Sequence, residues 1–132
     1  MKNLLLLLFL PSIFFAQSDW EYVGESSSKD LFYFKDVEKK SYSDKITFWV
    51  KIQKPVTIVK TKKGSIKKAG NYIISKWEAD CKEETIETKI YAVYNTNGSV
   101  KETSTGPFSP EPVLPDSIGE SVFLTACNRL EE

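Results

Sequence analysis

Histidine is absent from this chain of 132 residues. General acid–base work near neutral pH therefore lacks its usual side chain. Cysteine is scarce, with Cys81 and Cys127 alone, and their spacing is not that of a zinc site. No glycine-rich phosphate cradle and no nucleophile elbow occur. The five carboxylates Glu78, Asp80, Glu83, Glu84 and Glu87 lie close together, yet they lack the glycine-centred ligand loop of a calcium hand. They read as a solvated face. A carboxylate pair acting on glycosides has no placement in the sequence. Catalytic, metal and cofactor roles thus have no supporting residues, and none is expected.

Long apolar runs are also missing, apart from one at the start. Met1-Lys2-Asn3 leads into Leu4–Leu10 and ends near Ala16. A positive start, a short apolar run and a small residue before a polar one make a signal peptide over residues 1–16. The run is too short for a bilayer, which takes about 20 apolar residues. No transmembrane segment is expected after cleavage, and residues 17–132 form one domain. The protein is then exported, to the periplasm, the cell surface or the medium. In an oxidising compartment an even cysteine pair is by default a disulfide. A reactive thiol or half a metal site are the poorer alternatives.

Net charge is zero, but the charges are unevenly spread. From Lys45 to Trp77 there are nine lysines and no carboxylate; from Glu78 onward there are eleven carboxylates and four basic residues. Such asymmetry suits oriented contact with an acidic partner or a second copy. A general preference for lysine over arginine, seventeen to one, would also enrich surface loops. The densest stretch, residues 60–68, carries five lysines around Gly64 and Ser65 and suggests an extended hairpin or a loop. With Lys54, the residues Lys60, Lys62, Lys63, Lys67 and Lys68 form the candidate contact surface. The bland reading is a solvated loop whose lysines protect a sheet edge.

Alternation marks the strands. Residues 71–81 place Ile73, Ser75, Trp77, Ala79 and Cys81 on one face and make the central strand. Residues 45–52 place Ile46, Phe48, Val50 and Ile52 on one face, with Trp49 on the nominally polar one. Trp49 is expected to be covered rather than bare, and joins the candidate contact residues. Residues 19–24 and 31–36 are further strands, and 37–44 a charged loop. Ile86–Tyr94 alternates again, with Ile86, Thr88, Ile90, Ala92 and Tyr94 on one face. Asn97-Gly98 signals a hairpin returning through Val100–Ser104. After the prolines of 106–115, Ser117 and Glu120 fit a capping box. The stripe Ile118, Val122, Phe123, Ala126, Cys127 and Leu130 then gives a helix that turns Cys127 toward the sheet.

Trp20, then Tyr33-Phe34-Lys35-Asp36, Phe48-Trp49-Val50, Ser75 with Asp80-Cys81, Tyr94 with Gly98 and Val100, and finally Pro115-Asp116-Ser117 with Cys127 occur in this order. In this order the chain resembles the surface-adhesin protein E family of small exported bacterial proteins. The resemblance implies an α+β fold: a single, mostly antiparallel sheet, here of about six strands, packed by a C-terminal α-helix and stapled by one disulfide. It implies attachment to extracellular host molecules and brings no catalytic residues. Two features depart from the family pattern. There is no cysteine for a lipid anchor, and Phe108 in a proline-rich stretch stands where a tryptophan is expected. The partner expected is a protein or an anionic glycan, not nucleic acid, with a homodimer through the sheet edge or Trp49 also compatible. A periplasmic interaction or inhibitor module is the alternative role.

Overall fold

The computed structural model describes residues 19–130; the signal segment expected at 1–16 lies outside them. Six strands form one curled antiparallel sheet: β1 (Glu21–Glu25), β2 (Leu31–Lys39), β3 (Lys45–Gln53), β6 (Tyr72–Asp80), β7 (Thr85–Tyr94) and β8 (Val100–Ser104), side by side in that order. A two-residue strand, β9 (Glu111–Pro112), adds to β7. Between β3 and β6 the chain leaves the sheet as a separate hairpin, β4 (Thr57–Thr61) with β5 (Gly64–Lys68). One helix, α1 (Ile118–Arg129), packs against the sheet.

The period-two pattern of β3 and β6 decides the core. Opposed pairs Ile46–Ala79, Phe48–Trp77 and Val50–Ser75 share the inner face. Phe32 and Phe34 join them from β2, and Val122, Phe123 and Ala126 close the core from α1. Phe48, Val50, Ala79, Val122 and Ala126 are fully excluded from solvent. Each large apolar side chain so buried contributes roughly 1.5–3 kcal/mol. Phe48 meets Trp77 edge-on, with ring centroids 6.1 Å apart. The Trp77 indole donates to Ser75 Oγ at 3.0 Å, and that hydroxyl donates to the Ile90 carbonyl at 3.1 Å. Both buried polar groups are thereby paired, which removes their desolvation cost.

Helix α1 starts where the capping signal places it. Ser117 is the N-cap, and its Oγ accepts from the Glu120 amide at 3.1 Å. The Glu120 carboxylate accepts from the Asp116 amide at 3.3 Å, one residue outside the capping-box position. Cys81, just past β6, is bonded to Cys127 with Cα atoms 6.0 Å apart. At the helix end the Arg129 guanidinium pairs with Glu21 and lies over the Phe34 ring. Leu130, expected on the apolar stripe, is instead the exposed C-cap.

Two expectations need correction. Residues 37–39 belong to β2 rather than to a loop. A bulge between Lys35 and Glu38, with Asp36 at positive φ, takes up the extra residues, and pairing resumes at Glu38–Thr47. In β7 a second bulge sets Trp77 opposite Thr88 but Lys76 opposite Ile90. Ile86 and Thr88 therefore face the core, whereas Ile90, Ala92 and Tyr94 face outward. One inserted residue reverses the side-chain direction of everything beyond it.

Candidate functional site

Hairpin β4–β5 stands off the sheet, and every residue in both its strands is exposed. Its register places Thr57 opposite Lys68, Ile58 opposite Lys67, and Lys60 opposite Ser65, with Lys62 and Lys63 at the tip. Gly64, at φ +125°, makes the tight return. The Thr61 hydroxyl closes the tip by donating to the Gly64 carbonyl at 2.8 Å. At the base the two legs touch. The Lys54 backbone amide donates to the Asn71 carbonyl at 3.0 Å, and the Gln53 side-chain Nε2 donates to the Gly70 carbonyl at 3.1 Å. A Cβ on Gly70 would sit 2.6 Å from the Lys54 carbonyl oxygen, so only glycine lets the legs close.

The structure brings together Lys60, Lys62, Lys63, Lys67 and Lys68 on this projection. None of the five forms an ion pair among the described residues. Their charges are thus open to a partner. Ile58, Val59 and Ile66 are exposed beside them. Lys54 differs: its ammonium pairs with the buried Asp30 at 2.9 Å and ties the hairpin base to the turn before β2. Trp49 is not part of this group. It lies four residues before the end of β3, about 13 Å from the hairpin base at the rise of an extended strand. As expected it is not bare: it is half-buried, with the Lys76 ammonium 5.6 Å from its ring centre.

Within the acidic cluster Glu83 and Glu84 are exposed, as a solvated face requires, but Glu78 is not. Glu78 is 4% exposed, buried under three lysines from three directions. Lys40 lies 2.6 Å away, and Lys45 and Lys89 each 3.6 Å. Asp80 serves the next turn, its Oδ1 accepting from the Lys82 and Glu83 amides. No group of three or more acidic, histidine or cysteine side chains suited to a metal occurs among the described residues. Only the alternation of Lys45, Glu78 and Lys89 on outward positions of neighbouring strands could have signalled the arrangement in advance.

Burial pushes the Glu78 carboxyl up, but the Lys40 hydrogen bond and the charges of Lys89, Lys40 and Lys45 outweigh it. The net result lies below the ordinary value of 4.5. The sign follows from linkage: the unfolded carboxyl takes up its proton first as pH falls. The contribution to stability is complete above about pH 5 and is lost as pH drops through the lower folded value. Glu78→Gln is expected to cost about 1–2 kcal/mol at neutral pH. Its unfolding free energy should also fall less steeply than the native one between pH 5 and 3. Urea titrations across that range check both; equal acid slopes would remove Glu78 from the account.

Elsewhere a small cavity of about 300 Å³ lies between β7, the proline-rich connector and the start of α1, floored by Trp77 and Ile86. Phe108 borders it and packs on Tyr91, centroids 5.9 Å apart. An antiparallel sheet backed by a C-terminal helix that Cys81–Cys127 ties to it is the arrangement the sequence resemblance implies. The model of the surface-adhesin protein E family matches residues 20–128.

This chain belongs to the surface-adhesin protein E family. No curated protein and no solved structure matches it. Membership in a surface-adhesin family, together with the disulfide, suggests an exported protein, and the family's description implies binding to host partners. Adhesins are typically non-catalytic. No helix among the described residues is long and apolar enough to cross a membrane.

Proposed function

We propose that this adhesin-family chain is a non-catalytic binding protein that engages an acidic extracellular partner, a protein face or an anionic glycan, through hairpin β4–β5. The observation carrying this reading is the five ammonium groups of Lys60, Lys62, Lys63, Lys67 and Lys68 on one exposed projection, none neutralised among the described residues. Unpaired like charges on a two-stranded ribbon repel one another, and an anionic partner relieves that repulsion while drawing in further charge. Ile58, Val59 and Ile66 supply apolar area alongside the charges. Lys54 holds the hairpin base through Asp30 and reaches a partner only at that base.

Replacing Lys60, Lys62 and Lys63 together by alanine is expected to weaken partner binding about tenfold or more. Binding should also fall steeply between 0.1 and 1 M salt, as the screening length shrinks from about 10 to about 3 Å. Binding of the mature protein to immobilised host matrix measures both. Unchanged binding by the triple variant would refute the hairpin assignment. Fractionation with surface-protease shaving tests the location. Protein found only in the periplasm would favour an envelope partner over adhesion.

A further inference from the structure

The sheet face turned away from the core carries a second pattern, distinct from the hairpin. Lys35 on β2, Trp49 on β3 and Lys76 on β6 stand directly opposite one another. Trp20, just before β1, extends this row, since its ring lies 4.8 Å from the Lys35 ammonium. Across four strand positions the row therefore reads ring, cation, ring, cation. Two residues along the strands, a parallel row holds Tyr22, Tyr33 and Lys51. Beyond it Tyr72 and Tyr94 stack with centroids 4.8 Å apart and planes 3° from parallel. The Lys51 ammonium lies 5.1 Å from the Tyr72 ring.

We propose that this outer face is a binding site for an anionic polysaccharide of alternating sugars, laid across the strands along the Trp20–Lys35–Trp49–Lys76 row. Like groups in the row recur every second strand, a spacing of about 10 Å. An extended polysaccharide advances by a similar distance per two sugars. One sugar packs its apolar face beside an indole, and the next sets its carboxylate or sulfate on an ammonium. Each cation already lies over a ring, so its stem is held in place and little freedom is lost on binding.

Charge on the face selects the ligand. Lys51 and Lys76 form no ion pair among the described residues, and Lys35 meets only its neighbour Asp36 at 3.9 Å. Glu78, two residues beyond Lys76 on the same face, is already satisfied by Lys40, Lys45 and Lys89. A second copy is a poor occupant: a two-fold contact would set this lysine-rich patch against itself. Single-stranded nucleic acid also stacks on rings beside cations, and serves as a control.

The test titrates the mature protein with chondroitin sulfate octasaccharide and follows both affinity and tryptophan emission. Lys35→Ala, Lys51→Ala and Lys76→Ala combined should weaken binding about tenfold or more. Trp49→Ala should weaken it severalfold and reduce the emission change to the part that Trp20 reports, yet leave the salt dependence intact, because a ring and not a charge is lost. Trp49→Phe should keep most of the affinity. Circular dichroism identifies any variant that fails to fold, and the lysine variant then decides. Loss confined to Lys60→Ala, Lys62→Ala and Lys63→Ala would overturn this site while leaving the hairpin reading intact. Equal binding of uncharged dextran, equal binding of an oligothymidylate, or light scattering showing a dimer that buries Trp49 would overturn it as well.

Discussion

Replacing both Cys81 and Cys127 by serine is expected to lower the unfolding free energy by about 4 kcal/mol. The bond spans 46 residues. In the chain-entropy model, releasing a loop of that length returns about 4 kcal/mol of conformational freedom to the unfolded chain. The residues it spans include all of β7 and β8 and the proline-rich connector. They reach the core mainly through α1, which contributes Val122, Phe123 and Ala126. Small domains hold only about 5–15 kcal/mol in total, so the variant should sit near the edge of folding. Its melting temperature should drop by roughly 15–20 °C. Thermal unfolding of the oxidised native protein beside the double serine variant measures this. A drop of only a few degrees would mean that α1 holds its place through packing alone.

Phe48→Ala is expected to cost about 3–5 kcal/mol, the range for removing a fully buried phenyl ring. Phe48 has no exposed surface and sits at the middle of β3, edge-on to Trp77. Its flanking core residues Ile46 and Val50 come from the same stiff strand and cannot collapse into the space without breaking the pairing with β6. Urea unfolding should show a lower midpoint with little change in slope. The Trp77 emission should shift as its neighbour disappears. A cost near 1 kcal/mol would show that the sheet face repacks freely. This loss and that of the disulfide are not expected to add, because α1 bears on both.

Much of this architecture could be read from residue types and spacing. The face of β3 that carries Ile46, Phe48 and Val50 follows from alternation, and so does the face of β6 that carries Ser75, Trp77 and Ala79. Each was legible because a strand reverses its side chains every residue whatever lies beside it. The Ser117 cap was equally local. At residues 60–68 the sequence left a hairpin and a loop both open, and the structure decides for the hairpin, returning at Gly64. The helical stripe placed Cys127 on the side facing Cys81 with no knowledge of the sheet.

What the chain alone determined is therefore whatever depends on near neighbours: strand and helix positions, capping, and two cysteines fit to join. Folding in three dimensions decided which distant residues meet. The bulge beside Lys76 turned Ile90, Ala92 and Tyr94 outward, because a strand's register is set by its partner and not by its own pattern. The same pairing gathered Lys40, Lys45 and Lys89 around Glu78 and lined rings and ammonium groups across β2, β3 and β6. Coulomb attraction and ring contact act over a few ångströms of space, and separation along the chain says nothing about that distance until the strands have found their order.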